Sequence, residues 1–162
     1  IVVCILNRSR HKELIDEVRL TGARIKLISD GDVSAVIATS IEDSGVDIYM
    51  GTGGSPEGVL AAAARRCIGG KIYSKLIFDN DSQIERAEKM GITDINKIYE
   101  TMDLASGDVM FSATGVTDGT LLKGILIKDE IATSHSVVMR SKTKTIRYVS
   151  AQHNLEVKQI YI

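Results

Sequence analysis

The chain has no Trp, and Phe and Tyr together make up 4% of its 162 residues. That is too few flat rings for the stacking platforms that hold single-stranded nucleic acid. An excess of one charge is also missing: 20 Lys and Arg stand against 21 Asp and Glu, a formal net charge of -1. No global basic field points to nucleic acid or to an anionic membrane surface. No uninterrupted apolar run approaches the roughly 18 residues that a membrane-spanning helix needs. Cys occurs twice. Cys4 and Cys67 lie far apart in apolar surroundings and read as buried free thiols of a reducing compartment. With no CxxC and no Cys/His cluster, a zinc site is not expected. The N-terminus has no secretory layout, since "IVVCIL" is short and no basic leader precedes it. It also lacks an initiator Met and opens directly in an apolar run, as an excised piece would.

What is present is ordinary in bulk: 44% hydrophobic and 25% charged residues, the mix of a soluble globular chain. The length suits one domain, or one half of a larger enzyme. "IVVCIL" is β-branched and apolar throughout, like a strand buried on both faces. "HKELIDEVRLTG" follows, with Leu14, Ile15 and Val18 at helical spacing and Gly22 as C-cap. "ARIKLI" reads as a strand, "SDGDVSAVIATSI" as a turn and a short helix, and "VDIYM" as another strand. "SPEGVLAAAARRCIGG" is a helix with Ser55 as N-cap, Pro56 at the first helical position and Gly69–Gly70 beyond its end. This strand–helix alternation predicts parallel strands in an α/β layer. "KIYSKLIF" then reads as a strand and "DSQIERAEKMG" as an amphipathic helix closed by Gly91. "DVMFSATG" is a buried strand, and the stretch from Leu121 to Asn154 alternates as antiparallel strands do. The expected fold is α/β, a mixed parallel and antiparallel sheet covered by helices.

Ligands of open α/β sheets bind outside the carboxyl ends of the strands. Four polar clusters fall at strand ends. "NRSRH" (Asn7–His11) offers Arg8 and Arg10, whose planar forks suit a phosphate; a solvated basic turn is the plain alternative. His11 there reads as a helix-start residue. "DGD" (Asp30, Gly31, Asp32) could bind a sugar hydroxyl pair or a cation, while Asp32 serves equally as an N-cap. "GTGGSPEG" allows close backbone approach, and its helix start favours an anion. It is neither the GxGxxG dinucleotide fingerprint nor a P-loop, having no Lys-Ser/Thr after it. Glu57 in its helix start is a dipole-stabilised cap-region acid or a metal ligand. "SATGVTDGTLLKG" (Ser112–Gly124) could be a functional loop or a tight turn with Thr117 and Asp118 as turn residues. Together these suit a phosphorylated, hydroxyl-rich ligand, with a divalent metal as an option, but name no reaction.

"RLTGARIKLISDGDVSAVIAT", "GTGGSPEGVLAAAARRCIGGKI", "GDVMFSATGVTDGTLLKGI" and "RSKTKTIRYV", in that order, resemble the class II fructose-1,6-bisphosphatases, some of which also act on sedoheptulose 1,7-bisphosphate. The resemblance covers the C-terminal half of that family. It implies that residues 1–162 are one α/β domain resembling the second domain of the inositol-monophosphatase-like sugar phosphatase fold, with the N-terminal metal-binding half absent. It implies hydrolysis of the C1 phosphate of fructose 1,6-bisphosphate, in gluconeogenesis or glycerol metabolism, with Mn²⁺ or Mg²⁺. Glu57 then falls on a metal ligand, and Gly54 on a substrate-contacting glycine. Asp30, Gly31 and Asp32 fall on the segment that contacts the sugar phosphate. Arg8, Ser9 and Arg10 replace the family's Lys/Arg-Pro-Arg, keeping the charges and losing the proline. Asn7 stands where many members have Asp. No catalytic residue falls within this half, so the chain alone is expected to be inactive. The implied setting is cytoplasmic, with a small sugar bisphosphate as partner, no nucleic acid or membrane, and a homo-oligomer. The alternatives are a non-catalytic sugar-phosphate binding module and, on the glycine loop alone, a nucleotide-binding domain.

Overall fold

The computed structural model describes residues 1–158. The chain opens with strand β1 (Val2–Leu6), a single 3₁₀ turn (Ser9–His11), helix α1 (Lys12–Leu20) and strand β2 (Arg24–Ile28). Helix α2 (Asp32–Ala38), strand β3 (Ile48–Tyr49) and the long helix α3 (Ser55–Ile68) complete the first half. β1 pairs in parallel with β2 on one side and with β3 on the other, giving the order β2-β1-β3. The earliest strand is thus the central one. Alternation along it supplies both faces. Val3 and Ile5 pack on Ile15 and Val18 of α1, while Cys4 packs on Ala35 of α2 and on Val46. Ile5 is fully buried, a placement worth about 1.5–3 kcal/mol for a side chain of that size.

The second half begins with β4 (Tyr73–Ser74), α4 (Asp81–Lys89), β5 (Tyr99–Glu100) and the short α5 (Thr101–Leu104). β4 and β5 form a two-residue antiparallel bridge. β6 (Met110–Thr114), β7 (Leu126–Lys128), β8 (Ile131–Arg140) and β9 (Thr145–Asn154) make an antiparallel sheet. β9 pairs along the whole of β8; β6 pairs with Ser136–Arg140 and β7 with Ile131–Thr133, end to end on β8. α3 packs Ala64 and Cys67 onto Phe111, Val137 and Met139 of this sheet and onto Ile37 of α2. Its run of alanines lets those layers approach closely. The buried Arg65 of α3 donates to the hydroxyls of Thr39 and Ser40 just beyond α2.

Parallel strands early and antiparallel strands late are as expected, but they lie in separate sheets, not one mixed sheet. The expected strand over 71–78 shrinks to Tyr73–Ser74, and that over 46–50 to Ile48–Tyr49. Two expected caps also move by one residue. Gly54, extended at φ -69 and ψ 147, caps α3, and Ser55 is already helical. Gly31, left-handed at φ 84, caps α2, leaving Asp32 in the first turn. In both places a glycine makes the bend into the helix that a capping side chain was expected to mark. Gly69 and Gly70, at φ 98 and 92, end α3 as expected. Cys4 and Cys67 are free and buried, and burial pushes both thiols up.

The accessible surface is 11239 Å², against about 7,900 Å² for a compact monomer of this mass. Apolar side chains contribute to it: Met110, Leu126, Ile127, Tyr148 and Val149 of the antiparallel sheet all remain exposed. Among the described residues no helix is long and apolar enough to cross a membrane.

Candidate functional site

The carboxyl ends of β1, β2 and β3 lie side by side because the three strands are parallel. Three of the four polar clusters follow directly from those ends. Arg8 is extended, donates its amide to Leu6 O at 2.9 Å and accepts from His11 N at 2.9 Å. That bond closes the 3₁₀ turn and starts α1. Arg10 and His11 then both turn toward the loop after β3. Arg10 Nε donates to Thr52 O at 2.8 Å, and Thr52 N donates to His11 Nε2 at 2.8 Å. On its other side His11 Nδ1 lies 2.8 Å from Leu6 O.

The acidic cluster arrives from β2. Asp30 Oδ1 accepts from Gly31 N at 2.8 Å, and Asp32 Oδ1 accepts from Val33 N at 2.9 Å. The second Asp32 oxygen lies 3.4 Å from where a Cβ on Gly53 would be. Asp32 therefore faces the glycine loop across α2's first turn, where the helix dipole favours its charge. Tyr49, the last residue of β3, sits among these groups. Burial pushes its hydroxyl pKa up to about 12, with the Asp32 carboxylate and Cys4 adding to the rise and Arg10 opposing it. Sequence reasoning passed over Tyr49 and Thr52. Neither carries a motif, and only the parallel register of β3 beside β1 brings them here.

The loop Gly51–Gly54 is the floor of the site. Thr52 N is used by His11, while among the described residues the amides of Gly51, Gly53 and Gly54 donate to no protein acceptor. Glu57 stands at the third helical position of α3, and its carboxylate folds back over Gly54, where any Cβ would collide with it. The arrangement thus brings Arg10, Asp32 and free backbone amides to one loop, with Glu57 at its far rim; Arg8 and Asp30 follow the ends of the neighbouring strands β1 and β2. It can bind an anion and meet hydroxyl groups beside it.

No group of three or more His, Cys, Asp or Glu side chains that could hold a metal ion exists among the described residues. Glu57 by itself does not fit a divalent cation, which takes several oxygen ligands.

The fourth cluster makes no hydrogen bond to the Gly51–Gly54 loop among the described residues. Its loop folds on itself: Gly124 N donates to Asp118 Oδ1 at 2.9 Å, Gly119 N to Leu122 O at 3.0 Å, and Ile125 N to Val116 O at 3.2 Å. Gly115 and Gly124 press against the backbone of Lys123 and of Thr117–Asp118, leaving no room for a Cβ. The turn reading holds, with Asp118 as its organising residue.

A family model described as bacterial fructose-1,6-bisphosphatase, glpX-encoded, matches residues 1–153. The chain is 42% identical to a protein of Synechococcus elongatus named D-fructose 1,6-bisphosphatase class 2/sedoheptulose 1,7-bisphosphatase, over 94% of the chain and 48% of that relative. A protein of the same name from Crocosphaera subtropica matches with the same identity and coverage. The chain spans about half the length of the curated relatives it matches.

Proposed function

The chain belongs to the bacterial fructose-1,6-bisphosphatase family of the glpX-encoded type, and we infer that it forms the sugar-phosphate-gripping part of a phosphatase acting on fructose 1,6-bisphosphate. The reaction is hydrolysis of a phosphoric monoester: water adds to phosphorus, the bond to the C1 oxygen breaks, and fructose 6-phosphate and inorganic phosphate leave. The observation that carries this reading is Arg10 bonded to the loop floor at Thr52 O, with the Asp32 carboxylate beside Gly53 and unspent amides on Gly51, Gly53 and Gly54, at one end of the parallel sheet. Those groups complement a phosphate next to vicinal hydroxyls. Arg8 and the outer nitrogens of Arg10 grip the phosphate remote from the reacting one, a positioning role. Asp30 and Asp32 meet sugar hydroxyls, and Gly54 lets the substrate approach the backbone. Sedoheptulose 1,7-bisphosphate offers the same groups on a longer sugar, and the relatives' shared name supports it as a second substrate.

A divalent ion, Mn²⁺ or Mg²⁺, would supply a polarised water and offset charge on the departing phosphate. Glu57 is proposed as one of its ligands. The remaining carboxylates are assigned to the part of the relatives that this chain does not span. The likeness of the fold to the second domain of the inositol-monophosphatase-like sugar phosphatases, a cytoplasmic setting and self-association belong to the same reading. The apolar side chains left exposed on both faces of the antiparallel sheet support the last of these.

Two measurements test the reading. Phosphate release from fructose 1,6-bisphosphate with Mn²⁺ is expected to be absent in the isolated chain, because its donors do not complete a metal site. Calorimetric titration with the same sugar is expected to show binding. Turnover by the chain alone would overturn the metal assignment, and absence of binding would overturn the sugar-phosphate grip. Binding without turnover also fits a non-catalytic binding module. Adding the other half of a relative separates the two, since an enzyme half gains activity and a binding module does not.

A further inference from the structure

We propose that His11 is a positioning residue: as a neutral ring carrying its proton on Nδ1, it clamps the glycine loop and decides which loop amides face an anion. The inference deepens, and rests on, the sugar-phosphate reading of this loop. His11 is 1% exposed. Its Nδ1 lies 2.8 Å from the carbonyl of Leu6, which can only accept, so Nδ1 must donate. Its Nε2 lies 2.8 Å from the amide of Thr52, which can only donate, so Nε2 must accept. One donor and one acceptor define a single neutral tautomer. Thr52 O also lies 3.2 Å from Nε2, but a proton on Nε2 would be set against the Thr52 N–H that points at the same nitrogen from 2.8 Å.

The consequence is geometric. The peptide unit before Thr52 is held by His11 and the one after it by Arg10, both from the connection between β1 and α1. Leu6 ends the central strand, so the loop is referenced to the most rigid part of the sheet. The ring also occupies the space beside Gly51: a Cβ there would lie 3.3 Å from His11 Cε1 and 3.2 Å from the Tyr49 hydroxyl. With Thr52 N turned inward, the amides of Gly51, Gly53 and Gly54 are the ones left to meet a ligand. An apolar side chain on the same buried helical stripe would fill the space and leave Thr52 N unheld. The two ring bonds serve the loop, not the packing.

The test uses the ¹⁵N-labelled 162-residue chain and two variants that divide the ring's functions. His11→Asn keeps a donor near Leu6 O and cannot reach Thr52. His11→Gln places an acceptor near Thr52 N and gives up Leu6. Exchange of the Thr52 amide is read against the Met50 amide, which donates to Cys4 O at 3.0 Å and reports the sheet itself. Relative to Met50, Thr52 is expected to exchange about tenfold faster in His11→Asn, the loss of one hydrogen bond, and to be largely rescued in His11→Gln. Equal exchange in all three proteins, or the same acceleration in both variants, overturns the clamp. If the variants do not fold, long-range ¹H–¹⁵N spectra of the unmodified chain decide, since a proton on Nε2 also overturns it. Fructose 1,6-bisphosphate is titrated in parallel, and weaker binding by His11→Asn than by His11→Gln is expected. No binding by the unmodified chain overturns the sugar-phosphate reading, while the exchange ratio still judges the clamp.

Discussion

Two loops in this chain look alike in composition and behave oppositely. Gly51–Gly54 and Gly115–Gly124 both follow strands and both combine glycines with Thr. In the first, the glycines leave amides unused, and the fixing bonds come from another part of the chain, through Arg10 and His11. In the second, Gly115 and Gly124 are pressed by backbone, and apart from Gly115 N donating to His135 O the fixing bonds are internal, through Asp118 and Leu122. Glycine density therefore does not mark a ligand loop. Unspent donors, held in place by distant side chains, are the better sign.

The comparison breaks most visibly on stability. In Gly124→Ala the new Cβ would lie 2.7 Å from Thr117 C and 2.8 Å from Asp118 N, both backbone atoms that cannot swing aside. A loss of about 1–3 kcal/mol is expected from such overpacking. Gly53→Ala meets only the Asp32 carboxylate, at 3.4 Å, and is expected to stay within about 0.5 kcal/mol. Denaturant midpoints of the two variants check this. Equal losses would mean that the first loop is as self-packed as the second.

Affinity should divide the loops the other way. Arg10→Met removes a charged donor from the loop floor and a guanidinium from the anion. Binding of fructose 1,6-bisphosphate is expected to weaken about 10- to 100-fold, in line with 1.5–3 kcal/mol for a charged hydrogen bond. Asp118→Ala removes the acceptor for Gly124 N, at up to about 1 kcal/mol of stability and with no change in affinity. A Arg10→Met protein that binds normally would show that the guanidinium serves the loop alone.

Several of these features were legible in the sequence, and the reasons for the rest are physical. β1 was readable as a strand buried on both faces because every one of its residues is apolar. α1 and α3 were readable from spacing and from Gly22 and Gly69–Gly70. The caps at Gly31 and Gly54 were not, since both side chains beside them, Asp32 and Ser55, are good cappers that the backbone did not need. The strand over 71–78 shrank because, among the described residues, only the two-residue β5 pairs with it. His11 had an unused signal. With Ile15 and Val18 it forms an i, i+4, i+7 stripe, so helical periodicity alone places it on the buried face of α1. What no local pattern contains is the meeting of Thr52, Arg10 and Tyr49. That depends on β1 lying between β2 and β3, a choice made by the whole sheet.

The smallest effect expected is a titration confined to the first region. The Tyr49 hydroxyl is raised from 10.0 to about 12, chiefly by burial and next by the Asp32 carboxylate. The folded state therefore holds this proton more tightly than the unfolded state. The resulting stability is fully present below pH 10 and is lost as pH rises from there through about 12. The buried thiols of Cys4 and Cys67 are also raised, so some loss of stability with rising alkalinity belongs to them. Tyr49→Phe isolates the phenol: its stability should fall less steeply over that window than the unmodified chain's, with the two curves parallel at neutral pH. Tyr49→Phe with Asp32→Asn should not change the slope further, because the carboxylate acts on this window through the phenol. Coincident curves for Tyr49→Phe and the unmodified chain would mean that Tyr49 is open to water, and the floor of the site with it.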